Sequence, residues 1–149
     1  METVCNECVQ HVVSVQSPPV LRSLLTSVGL LRYRHPALLD TILTWYQTSL
    51  ARGDQLTTRD LTSLLMSMAS VDYAVPSQHT QLLDTIIGML DPQSMPEPAW
   101  LDTVWALTVL GKATHQHLES VLNPTFASCI LCKLKLEVLK EIHFQFSII

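Results

Sequence analysis

Three stretches decide the fold: LRSLLTSVGLLRY (Leu21–Tyr33), LTSLLMSMASVDY (Leu61–Tyr73) and LDTVWALTVLGKA (Leu101–Ala113). They start 40 residues apart in both steps. Apolar positions match across them at Leu21/Leu61/Leu101, Leu24/Leu64/Val104, Leu25/Leu65/Trp105, Val28/Met68/Thr108 and Leu31/Val71/Gly111, and Tyr33 matches Tyr73. Spacings of three, four and seven put such residues on one face of an α-helix. A second signature follows, because LLDTI occurs at Leu38–Ile42 and again at Leu82–Ile86, with HLESVL (His117–Leu122) as its shadow in the third unit. Self-similarity at a fixed period of this size is the mark of a repeat architecture.

Each unit therefore reads as helix, turn, helix. The expected helices cover 19–32 and 36–51, then 57–71 and 77–90, then 97–111 and 114–122. Pro36, Pro76, Pro96 and Pro98 fall at or before helix starts, where a missing N–H costs little. Thr57, Thr58 and Asp60 supply an N-cap and an acidic first turn, and Gly53 a C-cap. No useful strand-like alternation occurs. The expected fold is all-α, an α-solenoid of about three helix-turn-helix repeats over residues 1–127. Residues 128–149 form a divergent tail, helical to about Lys140, that closes on the apolar FQFSII without a polar cap. The open repeat ends and this tail permit self-association.

Composition sets the outer bounds. The chain has 149 residues, 48% apolar and 15% charged, which is too apolar and too weakly charged for a disordered protein. No run approaches the roughly 18 apolar residues of a membrane span. The nine Lys and Arg against thirteen Asp and Glu leave a net charge of −4, without the basic surplus usual in a self-sufficient nucleic-acid binder. The positive charges cluster early, at Arg22, Arg32, Arg34, Arg52 and Arg59, whereas residues 61–126 hold only Lys112 against six acids. No secretion signal or Arg-rich, acid-poor transit segment is visible.

Catalytic and metal chemistry find little footing. GxGxxG, GxxxxGK[ST], GxSxG and HExxH are all absent. Two CxxC pairs, Cys5/Cys8 and Cys129/Cys132, could supply four zinc thiolates, but some 120 residues separate them and neither pair has the Gly or Pro of a knuckle. They read as buried small hydrophobes in helices. His115 and His117, two apart, do not share a helical face and belong to a solvated turn. His11, His35, His79 and His143 have no visible partner. Asp40 and Asp84 recur at the same place in LLDTI, which argues for a structural role such as bonding a neighbouring turn. Trp45, Trp100 and Trp105 sit among aliphatics and read as core. No catalytic residue, metal ligand or cofactor is expected.

The turn LRYRHP (Leu31–Pro36) stands apart. It gathers Arg32, Tyr33, Arg34 and His35 between the two helices of the first unit. A guanidinium beside an aromatic ring can hold a phosphate and stack a base. With Arg22 and Arg52, these residues form the candidate RNA-contact set. The plain alternative is a solvated turn with Tyr33 as a packing residue.

The run WLDTVWALTVLGKATHQHLESVLNPTF (Trp100–Phe126) resembles the FAST kinase domain-containing family. The residues that carry the resemblance are Asp102, Val104, Trp105, Ala106, Leu107, Val109, Leu110, Leu118, Ser120, Val121, Leu122, Pro124 and Phe126. It implies a mitochondrial, RNA-associated protein that regulates processing, stability or translation of mitochondrial transcripts. Family members join helical repeats to a C-terminal RAP domain. This sequence stops at Ile149 without RAP and lacks a targeting segment, so a truncated or alternative form is expected. The kinase of the family name has no support here, because no Gly-rich loop, HRD or DFG occurs.

Two functions follow as expectations. One is a non-catalytic helical-repeat protein that binds single-stranded mitochondrial RNA. The other is a protein–protein interaction solenoid without direct RNA binding, favoured by the acidic 61–126 stretch. The placement of the arginines discriminates them: one ridge favours RNA, scatter favours protein.

Overall fold

The computed structural model describes residues 1–132. It is all-helical over that range, with no strand among the described residues. Helix α1 spans Glu2–Val12, α2 Pro18–Leu31, α3 Pro36–Arg52, α4 Thr58–Ser70, α5 Thr80–Met89, α6 Glu97–Val109 and α7 His115–Leu122. Short 3-10 turns at Ser77–His79 and Pro92–Ser94 precede α5 and α6, and residues 124–132 are again helical. The tail beyond Cys132, including its expected helix to Lys140, His143 and FQFSII, lies outside the described residues.

The helix ends follow from local chemistry. Pro18 and Pro36 occupy first-turn positions in which no N–H is needed. At α4 the Thr57 hydroxyl and the Asp60 carboxylate form a reciprocal capping box. Thr114 and His117 do the same at α7, with a ring nitrogen in place of the usual carboxylate. Gly53 ends α3 with φ +78°, a left-handed conformation that glycine adopts without a Cβ penalty.

Packing runs between every second helix. Helix α2 lies on α4 and α4 on α6, while α1 lies on α3 and α3 meets α5. The 40-residue offset thus brings equivalent helices of successive units side by side. Leu21 and Leu25 of α2, Leu61, Leu64 and Leu65 of α4, and Leu38, Ile42 and Tyr46 of α3 are all withdrawn from solvent. Each such side chain contributes roughly 1.5–3 kcal/mol by leaving water.

The two helices of the first row run in the same direction. Arg22 meets Asp60 near their starts, and Gly29 meets Ser67 further along both. Gly29 makes the close approach possible, because a Cβ there would stand 3.3 Å from Ser67 Oγ and 3.4 Å from its Cα. The Ser67 hydroxyl donates to the Leu25 carbonyl at 2.8 Å across the same contact.

The LLDTI aspartates reach from one unit to the next. Asp40 accepts from His79 Nε2 at 2.9 Å and from Gln78 at 3.1 Å, and Asp84 accepts from Lys112 Nζ at 2.7 Å. His79 is therefore not partnerless. It is buried, and its Nδ1 lies 3.2 Å from Gln47 Oε1.

Two core assignments are corrected. Trp45 and Trp100 are buried, but Trp105 is 47% exposed. The buried face of α6 is Trp100, Thr103, Val104, Ala106 and Leu107, and Trp105 points away from it. Cys5 is buried, Cys8 and Cys129 are partly covered, and Cys132 is exposed rather than core. Among the described residues no three His, Cys, Asp or Glu side chains converge as a metal site would require. No described helix is long and apolar enough to cross a membrane.

Candidate nucleic-acid interface

The Leu31–Pro36 turn is built by two helix ends. Arg32 caps α2 in the left-handed region, φ 48°, with its N–H donating to the Gly29 carbonyl at 3.2 Å. A side chain tolerates that conformation only at a cost, so the turn is specified by its surroundings. His35 caps α3, its Nδ1 accepting from Leu38 N–H at 3.1 Å. Tyr33 lies half-buried against the core, with its ring stacked on His35 at 6.4 Å between centroids. Arg32 and Arg34 flank Tyr33 in this anchored segment and line different grooves, and both are exposed.

The next unit repeats the geometry. Asp72, 40 residues after Arg32, also has φ 48°. Tyr73 follows it and is buried at the edge of the core. The Arg34 guanidinium lies over the Tyr73 ring, 5.8 Å from its centroid. Such a contact is electrostatically favourable and leaves the guanidinium edges open to a ligand. Burial pushes the Tyr73 phenol up, the negative charge of Asp40 adds to the shift, and Arg34 opposes it.

Arg34, Asp72, Tyr73 and Lys112 border a groove of about 410 Å³. Lys112 holds the third equivalent position, 40 residues after Asp72. Arg32 borders a second groove of about 480 Å³ between α2 and α4, lined by the hydroxyls of Thr26, Thr62, Ser63 and Ser70. Among the described residues neither Arg32 nor Arg34 makes an ion pair.

The candidate set does not converge as a whole. Arg32, Tyr33, Arg34 and His35 share one turn. Arg22 sits ten residues upstream of Arg32 on α2, about 15 Å away along the axis, where its guanidinium is held by Asp60 at 2.6 Å. Arg52 closes α3 at the end remote from His35 and pairs with Asp54 at 2.9 Å. Lys112 lies in the 40-residue register with Arg32, but its ammonium donates to Asp84 at 2.7 Å. The histidines of the third unit do not build a site either. His115 is exposed and faces Glu119 at 3.4 Å, while His117 caps α7 and packs edge-on against Trp100.

The geometry defines an all-helical protein with a cationic, aromatic turn between α2 and α3. Residues 61–131 match the family model described as FAST kinase-like protein, subdomain 1, so this segment is similar to that family. The match covers α4 to the helix after α7. It includes Tyr73 and Lys112, whereas Arg32 and Arg34 lie upstream of it. No curated protein and no solved structure matches the chain.

Proposed function

We propose that this chain is the helical-repeat portion of a mitochondrial RNA regulator, and that it acts by binding single-stranded RNA rather than by catalysis. In this reading the stacked helix pairs form a solenoid that presents the turns after α2 and α4 along one edge. The FAST kinase-like family supports the mitochondrial and RNA-related assignment. The observation that carries the RNA contact is Arg34, exposed, without an ion pair among the described residues, and held over Tyr73 across two units. Arg32 and Arg34 hold phosphates, and the exposed edge of the Tyr33–His35 stack receives a base. Arg22 and Arg52 serve the fold and stand outside the contact.

The test is fluorescence anisotropy of a labelled single-stranded RNA across a salt series, comparing wild type with Arg32→Ala/Arg34→Ala. The double variant should bind more weakly, with the log–log salt slope reduced by about 0.7 for each lost phosphate contact. Circular dichroism should show unchanged helix content, since both side chains are exposed. A folded wild type that binds no RNA at low salt would sink the proposal and promote the protein-interaction reading.

A further inference from the structure

The groove between α2 and α4 has an acceptor-lined floor and cationic ends. Its volume is about 480 Å³, and the hydroxyls of Thr26, Thr62, Ser63, Ser67 and Ser70 line it. Four of these have their protons engaged by the helices beneath. Thr26 donates to the Arg22 carbonyl at 2.9 Å, Thr62 to that of Arg59 at 3.3 Å, Ser67 to that of Leu25 at 2.8 Å and Ser70 to that of Met66 at 2.7 Å. A hydroxyl whose proton is engaged keeps its acceptor lone pairs. The floor therefore offers acceptors, and it suits a ligand group that can donate.

The charge around the groove is positive. Residues 18–34 hold Arg22, Arg32 and Arg34 and no acid. Asp60, the acid of α4, is buried and paired with Arg22. Arg32 borders the groove where α2 ends. Arg59 lies three, four, seven and eleven residues before Thr62, Ser63, Met66 and Ser70, so it shares their face of α4 at the opposite end. Both arginines are exposed, and among the described residues neither makes an ion pair. The helix from Arg59 to Ser70 sets the two ends roughly 16 Å apart, far enough to hold separate phosphates.

A polyanion that also carries hydroxyl donors fits both features. Phosphate oxygens only accept, so they gain nothing from the floor but pair with a guanidinium. A ribose 2′-hydroxyl both donates and accepts, and deoxyribose has no donor at that position. We propose that this groove carries the strand onward from the α2–α3 turn and selects ribose over deoxyribose. The inference rests on the RNA-binding reading above, and adds to it a sugar specificity and a further phosphate contact. Arg32 and Arg59 hold phosphates at the two ends. Between them Thr62, Ser63 and Ser70, all partly exposed, accept from 2′-hydroxyls.

The test is fluorescence anisotropy of the full chain with three labelled single strands of one uridine-free sequence: RNA, DNA and 2′-fluoro RNA, which keeps the RNA-like sugar but lacks the donor. RNA should bind about tenfold more tightly than the other two, as a pair of hydrogen bonds would give. Thr62→Val/Ser70→Ala should narrow that ratio by weakening RNA alone. Arg59→Ala should weaken RNA and DNA alike, with the salt slope reduced by about 0.7. Equal affinity of wild type for RNA and DNA overturns the inference and leaves the contact at the turn standing. So does 2′-fluoro RNA that binds as well as RNA, or a preference for RNA that survives in Thr62→Val/Ser70→Ala. A folded wild type that binds none of the three strands removes the RNA-binding reading itself, and this inference with it.

Discussion

The guanidinium of Arg22 lies 2.6 Å from the carboxylate of Asp60, which is 2% exposed. The pair joins α2 to α4, and the same carboxylate accepts from the Thr57 N–H at 3.0 Å and from its hydroxyl. Asp60 is thus both the cap of its own helix and the anchor of its neighbour. Arg22→Ala leaves a buried carboxylate short of its cationic partner and should cost about 2–4 kcal/mol. Arg32→Ala, at an exposed cap without an ion pair, should stay within about 0.5 kcal/mol of wild type. Urea denaturation of the two variants side by side checks this. Equal midpoints would remove Arg22 from the fold and return it to the candidate RNA set.

Tyr46 gives the fold an alkaline limit. Its hydroxyl donates to the Asp60 backbone carbonyl at 3.1 Å, inside the core. Burial pushes its phenol well above the usual 10.0, the Asp60 charge adds to this, and Arg22 opposes it. An unfolded tyrosine ionises near pH 10 while the folded one keeps its proton. The unfolded state therefore binds fewer protons above that pH, and stability falls as pH rises. The contribution is complete below about pH 10 and fades above it. Tyr46→Phe should cost about 1 kcal/mol at neutral pH. Its stability should then decline less steeply than that of wild type up to about pH 11. Parallel alkaline slopes would show that Tyr46 is not the linked group.

Much of this was legible in the sequence, because periodicity reports what each residue must bury. The 40-residue register placed the helix pairs, and Thr57, Gly53 and the prolines marked their ends. Recurrence of Asp40 and Asp84 pointed to a structural role because chemistry seldom needs the same acid twice at one period. The failures have one cause. A single-sequence pattern says which residues share a face, but not whether another element covers it. Trp105 matches Leu25 and Leu65 in register, yet the cover those two receive is absent over the described residues at α6. Arg22 and Arg34 looked alike for the same reason. Asp60 and Tyr73, their partners, lie 38 and 39 residues away, and only the stacking of units brings them together.

Gly29 measures how closely α2 and α4 must approach. It sits in the last turn of α2 without a positive φ, so its reason is space. Its neighbour Ser67 cannot yield freely, because the hydroxyl is committed to the Leu25 carbonyl. Gly29→Val should force the helices apart and cost about 1–3 kcal/mol, with Arg22 and Asp60 strained at the other end of the contact. Gly29→Ala sets a gain in helix propensity, below the roughly 1 kcal/mol of a helix interior, against the tight contact, so its net effect should be small. Thermal denaturation ranks the pair. A valine variant as stable as the alanine one would mean that the helices have room to spare.

The Asp40–His79 contact tests whether the units are coupled through their second helices. His79 is 3% exposed and Asp40 42%, so the two ends of the bond differ in what they lose. His79→Ala opens space in the core and strands Gln47, and should cost about 2–3 kcal/mol. Asp40→Ala removes only a half-solvated acceptor and should cost about 1 kcal/mol. In a double-mutant cycle the coupling should come out near 0.5–1 kcal/mol, the range for contacting residues whose bond is partly wet. The equivalent pair in the next unit is more exposed, with Asp84 at 58% and Lys112 at 27%. Its coupling should therefore fall below that of Asp40–His79 and shrink further in salt. A larger coupling at Asp84–Lys112 would mean that burial does not set the strength of the link, and that the third unit is held by this surface pair.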